Sequence, residues 1–171
     1  MTMHDWKQKF DRIYIHQSAA NSTVALRFQE IFQDKVQIIN GNPPDFVKGN
    51  LSASQFSQSK RQVFLTPFLG QFFKKCPGFH KGMACCNYFV LNLGFQCDMD
   101  CSYCYLQSFI NSNYLTIYTN IGDALQELEA FASLKDQPLR VGTGEVIDSL
   151  SLDPLTLYSH DLISFFKNYP K

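Results

Sequence analysis

Six cysteines constrain this sequence more than any other feature, because all of them lie between residues 76 and 104. The last three, Cys97, Cys101 and Cys104, have C-x3-C-x2-C spacing. They directly follow an apolar stretch at 88–93 that predicts a mostly buried strand. The N-terminus lacks the apolar core of a secretory signal, and clustered cysteines in a cytoplasmic chain are more often metal or redox ligands than disulfide partners. We therefore expect the loop after this strand to bind a metal centre.

Three interpretations fit the cysteine pattern. Three thiolates on one tight loop can bind three irons of a [4Fe–4S] cluster, and the open fourth iron then binds a substrate or cofactor; most such clusters have four cysteine ligands. Zinc is the second interpretation, because Cys76, His80, Cys85 and Cys86 supply further soft ligands. Zinc knuckles usually combine two C-x2-C pairs, however, so the spacing favours iron and sulfur. Buried free thiols are the third interpretation.

The rest of the chain predicts an α/β fold with parallel strands, because strand-like and helix-like segments alternate. Strands are expected at 12–15, 36–39, 88–93, 114–119 and 139–141. Helices are expected from Ser22 or Thr23, from Asn120 with Asp123 in a capping box, and over 155–169. The polar segment 45–60 predicts a loop or linker, and the apolar segment 63–73 predicts a bridge between two parts.

Charge divides the sequence into two halves. The formal net charge is zero, but residues 1–75 carry ten Lys/Arg against five Asp/Glu, and residues 76–171 carry five against ten. This asymmetry predicts an N-terminal α/β subdomain and linker over 1–75 and a cysteine-bearing core over 76–171. The basic excess is a weak footprint for nucleic acid. No apolar run approaches the ~20 residues of a membrane span, so we expect a soluble, cytoplasmic protein without membrane contact.

The cysteine motif and its surroundings resemble the radical S-adenosylmethionine (SAM) superfamily and, more narrowly, the spore photoproduct lyase family. Besides the C-x3-C-x2-C spacing, the resemblance rests on Cys76-Pro77-Gly78, Cys85-Cys86-Asn87-Tyr88, 97–107 and 114–120. It covers residues 64–171 and, more loosely, the N-terminal β-α-β unit. The fold it implies is a small N-terminal β-α-β unit followed by the first βα units of an incomplete radical SAM partial TIM barrel.

The resemblance also implies a chemistry. Enzymes of this kind hold a [4Fe–4S] cluster, here on Cys97, Cys101 and Cys104, and its open iron chelates SAM. An electron from a donor such as flavodoxin or ferredoxin then cleaves SAM to methionine and a 5′-deoxyadenosyl radical, which abstracts hydrogen from the substrate. In the lyase this substrate is a thymine dimer in DNA, so DNA is an expected partner.

Further site residues follow from the same resemblance. Tyr103 stands where the superfamily places an aromatic residue against the adenine of SAM, and Tyr105 matches a tyrosine near the lyase's radical-transfer path. A glycine-rich turn with an acidic residue ends the strand at 139–141, where α/β sheets bind ligands, and resembles the motif that holds the SAM amino group. Its candidate cofactor-binding residues are Gly142, Thr143, Gly144, Glu145 and Ser149, with Asp148 close by. The simpler alternatives are packing tyrosines and a solvated turn.

The sequence departs from the family in two ways. Alignment puts Glu145 at the position of the family's hydrogen-donor cysteine, and no cysteine follows Cys104. Residues 88–171 number 84, and at about 31 residues per βα unit they make fewer than three units, too few for the superfamily's partial barrel. We therefore expect a fragment, a truncated reading frame or half of a split enzyme whose barrel a separate chain completes. Competing functions are a radical SAM enzyme with a non-DNA substrate and a non-catalytic zinc-binding interaction module.

Overall fold

Helices and strands alternate along the chain in a computed structural model, which describes residues 2–47, 49–78, 82, 87–134 and 138–169. The helices are α1 (Met3–Lys9), α2 (Thr23–Phe32), α3 (Ala53–Ser59), α4 (Ile121–Ala132), α5 (Asp153–Thr156) and α6 (Tyr158–Asn168). The strands are β1 (Arg12–His16), β2 (Val36–Ile39), β3 (Gln62–Thr66), β4 (Phe73–Lys75), β5 (Tyr88–Leu91), β6 (Gly94–Phe95), β7 (Leu115–Tyr118) and β8 (Arg140–Gly142). Short 3-10 turns occupy Gln17–Ala19, Gln33–Lys35 and Tyr105–Phe109.

The predicted N-terminal β-α-β unit is present and begins a five-stranded sheet. α2 begins after Ser22, whose hydroxyl accepts the Ala25 N–H, and its buried stripe packs on the sheet. β1 pairs in parallel with β2 and β3, and β3 pairs in parallel with β7. β6 adds an antiparallel edge, so the strand order is β2-β1-β3-β7-β6. The predicted α/β class with parallel strands is confirmed.

A second sheet of three strands has the order β4-β5-β8. β4 is antiparallel to β5, and β5 is parallel to β8. The apolar segment 63–73 contributes β3, the central strand of the first sheet. Because β3 pairs with β7, that sheet runs across the domain boundary predicted at residue 75.

One apolar core lies between the helices and both sheets. Its fully buried large side chains include Phe10, Phe28, Phe32, Ile13, Ile15, Leu65, Leu91, Leu115, Ile117, Leu128 and Leu155. A small aromatic group covers the other face of the first sheet, where Tyr14, Phe64 and Tyr114 pack with Phe46. Among the helices of the described ranges, none combines the length and apolar character needed to cross a membrane.

The segment 45–60 is not simply a linker, because it contains α3. Ser52 caps this helix: its hydroxyl accepts the Gln55 N–H at 3.3 Å, and the Gln55 side chain accepts the Ser52 N–H at 2.9 Å. This capping box satisfies two N–H groups that the first turn leaves without helical partners. The prediction of a loop here was wrong from Ala53 onward.

Two predicted details of the later helices were also wrong. Asn120 precedes α4 without capping it through its side chain; its amide instead donates to Asp123 at 2.7 Å and accepts the Phe68 N–H at 2.8 Å. The single helix expected over 155–169 is two helices, because the chain turns at Leu157 with a left-handed φ of 56°. α6 therefore begins at Tyr158.

Candidate functional site

The cysteine loop, defined as residues 97–104, follows β6 and not β5 as the sequence predicted. Its entry is set by Gln96, which is buried and has a left-handed φ of 77°. The Gln96 amide donates to the Ser59 hydroxyl at 2.7 Å and to the Ser112 carbonyl at 3.3 Å. The loop therefore begins from a point fixed to both the end of α3 and the approach to β7.

Hydrogen bonds within the loop form a tight turn. The Cys104 N–H donates to the Cys101 carbonyl at 3.0 Å. The Gln107 amide donates to the same carbonyl at 2.9 Å from the 3-10 turn that follows. This turn keeps two of the predicted ligands close in space.

Two lysines from the basic half of the sequence contact the cysteine loop. Lys9 of α1 forms an ion pair with Asp98, whose side chain is 2% exposed. Lys60, directly after α3, donates to the Met99 carbonyl and, at 3.4 Å, to the Cys97 carbonyl. Sequence reasoning missed both contacts, because the residues that meet are far apart in the chain. The separation is 89 residues for Lys9 and Asp98 and 37 residues for Lys60 and Cys97. The opposite net charges of the two halves of the sequence were the available signal that lysines of the first half contact the second.

The three motif cysteines line one cavity of about 220 Å³ together with the segment that follows β8. The facing segment, residues 144–148, contributes Gly144, Glu145, Val146, Ile147 and Asp148. Lys60 and the side chains of Met99, Leu106, Gln107 and Ile110 complete the wall. The structure thus brings together the two motifs that the sequence placed about 40 residues apart.

The donor set of this cavity fits an iron–sulfur cluster. Cys97, Cys101 and Cys104 are free and partly exposed to the cavity. In the part of the chain that the structure describes, no three His, Cys, Asp or Glu side chains lie close enough to hold one metal ion. A cluster binds each thiolate at a separate iron, so its ligands need not converge on one point. Cys76 is partly exposed and outside the cavity wall; the other predicted zinc ligands, His80, Cys85 and Cys86, lie outside the described residues.

Glu145 lies on the cavity wall with an ion-pair partner. Its Oε2 is 2.8 Å from Nζ of Lys74 in β4. Burial, and to a smaller degree the Glu145 charge, raises the pKa of Tyr118 above its ordinary value. Glu145 is therefore an ion-paired carboxylate at the cavity, and a second cation would share it with Lys74.

The glycines near Glu145 lie close to other parts of the protein, Gly142 to a side chain and Gly144 to backbone. A Cβ at Gly142 would lie 1.6 Å from the Tyr88 hydroxyl oxygen, and one at Gly144 would lie 2.3 Å from the Ile147 carbonyl oxygen. Thr143 and Ser149 line a smaller neighbouring cavity of about 30 Å³. Of the predicted cofactor-binding residues, Gly144 and Glu145 thus share the cavity of the cysteines, while Gly142, Thr143 and Ser149 lie beside it.

The two predicted tyrosines are at the surface. Tyr103 is 87% exposed and Tyr105 is 76% exposed, and neither belongs to the cavity wall. The Tyr105 ring packs against the ring of Phe109, with 5.3 Å between the two ring centroids. Their roles toward a cofactor remain predictions.

Comparison by sequence gives no match, either among protein-family models or among curated proteins. Comparison by structure finds spore photoproduct lyase. The lyase complexed with dinucleoside spore photoproduct superimposes with a TM-score of 0.74 at 17% identity, over 92% of this chain and 46% of that chain. A mutant of the lyase with bound AdoMet and dinucleoside spore photoproduct gives a TM-score of 0.70 at 17% identity, with the same coverage.

These comparisons establish the fold. The chain folds like part of a spore photoproduct lyase and spans about half the length of the structures that it matches. The predicted resemblance to part of spore photoproduct lyase is confirmed at the level of the fold.

Proposed function

We propose that this chain is part of a radical SAM enzyme similar to spore photoproduct lyase. It binds a [4Fe–4S] cluster and SAM, and it takes part in the reductive cleavage of SAM for reaction on a DNA photolesion. One observation carries the proposal: three cysteines and the Gly144–Asp148 segment line a single cavity in a chain with the lyase fold.

Cys97, Cys101 and Cys104 are the residues that would hold the cluster, each through its thiolate. When bound, the cluster supplies the electron that cleaves SAM. The protein's own part is to keep the three thiols on one wall, through the Cys104–Cys101 turn and the bond from Gln107. Ile110, which is buried, gives the same wall an apolar surface.

Glu145 is the proposed acceptor for the amino group of SAM. Its carboxylate lies on the cavity wall, and a charge-assisted hydrogen bond to an ammonium is stronger than a neutral one. Gly142, Thr143, Gly144 and Ser149 shape the adjoining turn. Tyr103 is proposed to stack on the adenine, and Tyr105 to take part in radical transfer; both then need a ligand or a further part of the enzyme to cover them.

The proposed partners follow from the same likeness. Three of the matching lyase structures hold a dinucleoside spore photoproduct, which supports DNA as the substrate class. A flavodoxin or ferredoxin is the proposed electron donor, and a separate chain is proposed to supply the remaining barrel strands. We place the enzyme in the cytoplasm.

One sequence observation favours a second candidate, a radical SAM enzyme with a non-DNA substrate. Alignment puts Glu145 at the position of the lyase family's hydrogen-donor cysteine. A zinc-binding interaction module is the non-catalytic alternative for the same cysteines.

Anaerobic reconstitution with iron and sulfide tests the proposal. We expect a brown protein with about four irons per chain. Cys97→Ala, Cys101→Ala and Cys104→Ala should each abolish the colour, because each removes one ligand. Cys76→Ala is the matched control and should keep the iron content, since Cys76 does not line the cavity.

Metal content separates the alternatives. A colourless protein with stoichiometric zinc would contradict the cluster and support the interaction module. SAM is then added to the reduced, reconstituted protein, and its electron paramagnetic resonance (EPR) spectrum should change. An unchanged spectrum would contradict SAM binding. In Glu145→Gln, a higher SAM concentration should be needed to produce the same change in the EPR spectrum.

A further inference from the structure

Lys60 is a buried cation in the wall of the cysteine cavity. The residue is 9% exposed, and its ammonium donates to the carbonyls of Met99 and Cys97. Both carbonyls belong to the cysteine loop, one of them to a predicted ligand. Lys60 therefore contacts the loop backbone directly and also faces the cavity.

The charge of Lys60 is weakly compensated by its protein partners. Its acidic neighbour, Asp100, has a side chain that is 81% exposed, and Oδ1 lies 3.4 Å from Nζ. Such solvated pairs contribute little, and carbonyl oxygens carry no formal charge. Of the other acids nearby, Asp98 is paired with Lys9 and Glu145 with Lys74. Asp148 also lines the cavity, where its carboxylate accepts the N–H groups of Leu150 and Ser151; the ion pairs of the described residues do not join it to Lys60. A buried ammonium in this position is costly unless further negative charge lies close to it.

The position of Lys60 is fixed by its neighbours in sequence. Ser59 accepts the bond from Gln96 at the start of the cysteine loop, and the Phe56 ring lies 5.0 Å from the Lys60 ammonium. The capping box of α3 holds this helix end in place. Lys60 is therefore held on the cysteine loop by a stabilised helix, and not merely by a flexible surface contact.

We propose that Lys60 is a positioning residue whose positive charge is complementary to a cluster bound by the three cysteines. The inference rests on the proposed function. Lys60 fixes the loop through two carbonyls and offsets the negative charge of the thiolate-bound cluster. Reduction adds one electron, supplied by flavodoxin or ferredoxin, or by dithionite in vitro. A nearby cation stabilises the added charge, so Lys60 raises the reduction potential.

The test compares reduction potentials by EPR-monitored redox titration after anaerobic reconstitution. We expect Lys60→Met to shift the one-electron reduction equilibrium about tenfold toward the oxidised form, which is a change of 59 mV to more negative potential. Lys60→Arg keeps the charge and should keep the potential near that of the wild type. Lys167→Met makes the same charge change at an exposed position on α6 and should leave the potential unchanged.

The outcomes distinguish the two proposals. A wild type without iron contradicts the proposed function and, with it, the role of Lys60. A wild-type cluster with an unchanged potential in Lys60→Met overturns the role of Lys60 alone. Circular dichroism of the apo proteins checks folding; if Lys60→Met does not fold, Lys60→Gln replaces it with the same expectation. Loss of the cluster in a folded neutral variant but not in Lys60→Arg supports the proposal, whereas loss in both overturns it.

Discussion

At Gly142, an added Cβ would lie 1.6 Å from the hydroxyl oxygen and 2.5 Å from Cζ of Tyr88. The two residues lie on paired parallel strands, β8 and β5, so the half-buried Tyr88 ring has to shift to admit the methyl group. We expect Gly142→Ala to lower the free energy of unfolding by about 1–3 kcal/mol, as overpacking does. Urea denaturation measures this change.

A double-mutant cycle identifies the cause of that loss. In a protein that already carries Tyr88→Ala, Gly142→Ala should lower the free energy of unfolding clearly less, because the ring that the new methyl group would meet is absent. Additive effects would contradict the steric explanation. Gly122→Ala is the control, because Gly122 lies in α4 with open space around it, and it should be stabilising by about 0.5–1 kcal/mol.

Tyr114 links alkaline pH to stability. Its hydroxyl donates to the Pro44 carbonyl at 2.7 Å, and burial, with the nearby Tyr14, raises the pKa of Tyr114 from 10.0 to about 12. The neutral form is thus favoured by folding, and its stabilisation is complete below pH 10 and lost as pH rises toward about 12. We expect wild-type stability to fall over this window.

Tyr114→Phe tests this expectation in urea denaturation at a series of pH values. The variant loses one hydrogen bond at every pH, but its stability should fall less steeply above pH 10. Other tyrosines with raised pKa values, such as Tyr158, remain in both proteins and cancel in the difference. Parallel curves for the two proteins would contradict the assignment.

α3 is the element whose loss would reach the site most directly. It ends at Ser59, beside Lys60, and both residues contact the entry or backbone of the cysteine loop. We expect Ser52→Ala to destabilise the protein by about 1 kcal/mol through loss of the capping bond to Gln55. Amide hydrogen exchange should speed up in α3 and in the cysteine loop.

Ser54→Ala is the matched control for this prediction. Ser54 is exposed within the same helix, where alanine has the higher helix propensity. It should leave exchange in the cysteine loop unchanged. Equal effects from both serines would show that side-chain capping does not hold the helix.

Periodicity predicted the elements that carry an apolar pattern and missed those that depend on distant partners. β1 and α2 match the sequence pattern closely because their apolar side chains are buried. β2 matches it as an edge strand, with Val36 and Ile39 partly buried. α3 has a single large apolar side chain, Phe56, so no stripe marks it; the Ser52–Gln55 spacing was its available signal. β6 has two residues and forms by pairing with β7, which sequence reasoning could not foresee.

The candidate site was predictable to a similar extent. Spacing singled out three cysteines, and the glycine-rich turn after β8 singled out Glu145; the structure shows that all four line one cavity, while their roles stay predictions. Lys60 was not predicted, because its contacts depend on how two distant segments pack. The exposure of Tyr103 likewise depends on what covers the loop, and local sequence does not encode that.

Across the whole molecule, the charge asymmetry of the two halves becomes a set of contacts around the site. Within the described part of the chain, ion pairs join lysines of the basic half to acids of the acidic half at Lys9–Asp98, Lys60–Asp100 and Lys74–Glu145. Each acid lies in the cysteine loop or in the turn after β8. The neutral total thus conceals attraction between the halves at the cavity where they meet.

Asp98 has the most buried side chain of these acids, so its ion pair with Lys9 provides the sharpest test of that attraction. One carboxylate oxygen of Asp98 is buried without a hydrogen bond, so Lys9 supplies its compensating charge. Lys9→Met should therefore lower the free energy of unfolding by about 1–3 kcal/mol, because a buried acceptor loses its partner. Lys7→Met, at an exposed position of the same helix, should change it by less than about 0.5 kcal/mol.

The double variant Lys9→Met with Asp98→Asn separates charge from packing. Replacing both partners removes the unpaired buried charge, so the double variant should be more stable than Lys9→Met alone. If charge attraction joins the halves at the cysteine loop, Lys9→Met should also speed hydrogen exchange at residues 97–104 before it affects β1. Loss of protection in β1 first would instead mean that Lys9 stabilises the N-terminal unit, and that the pairing of opposite charges does not order the site.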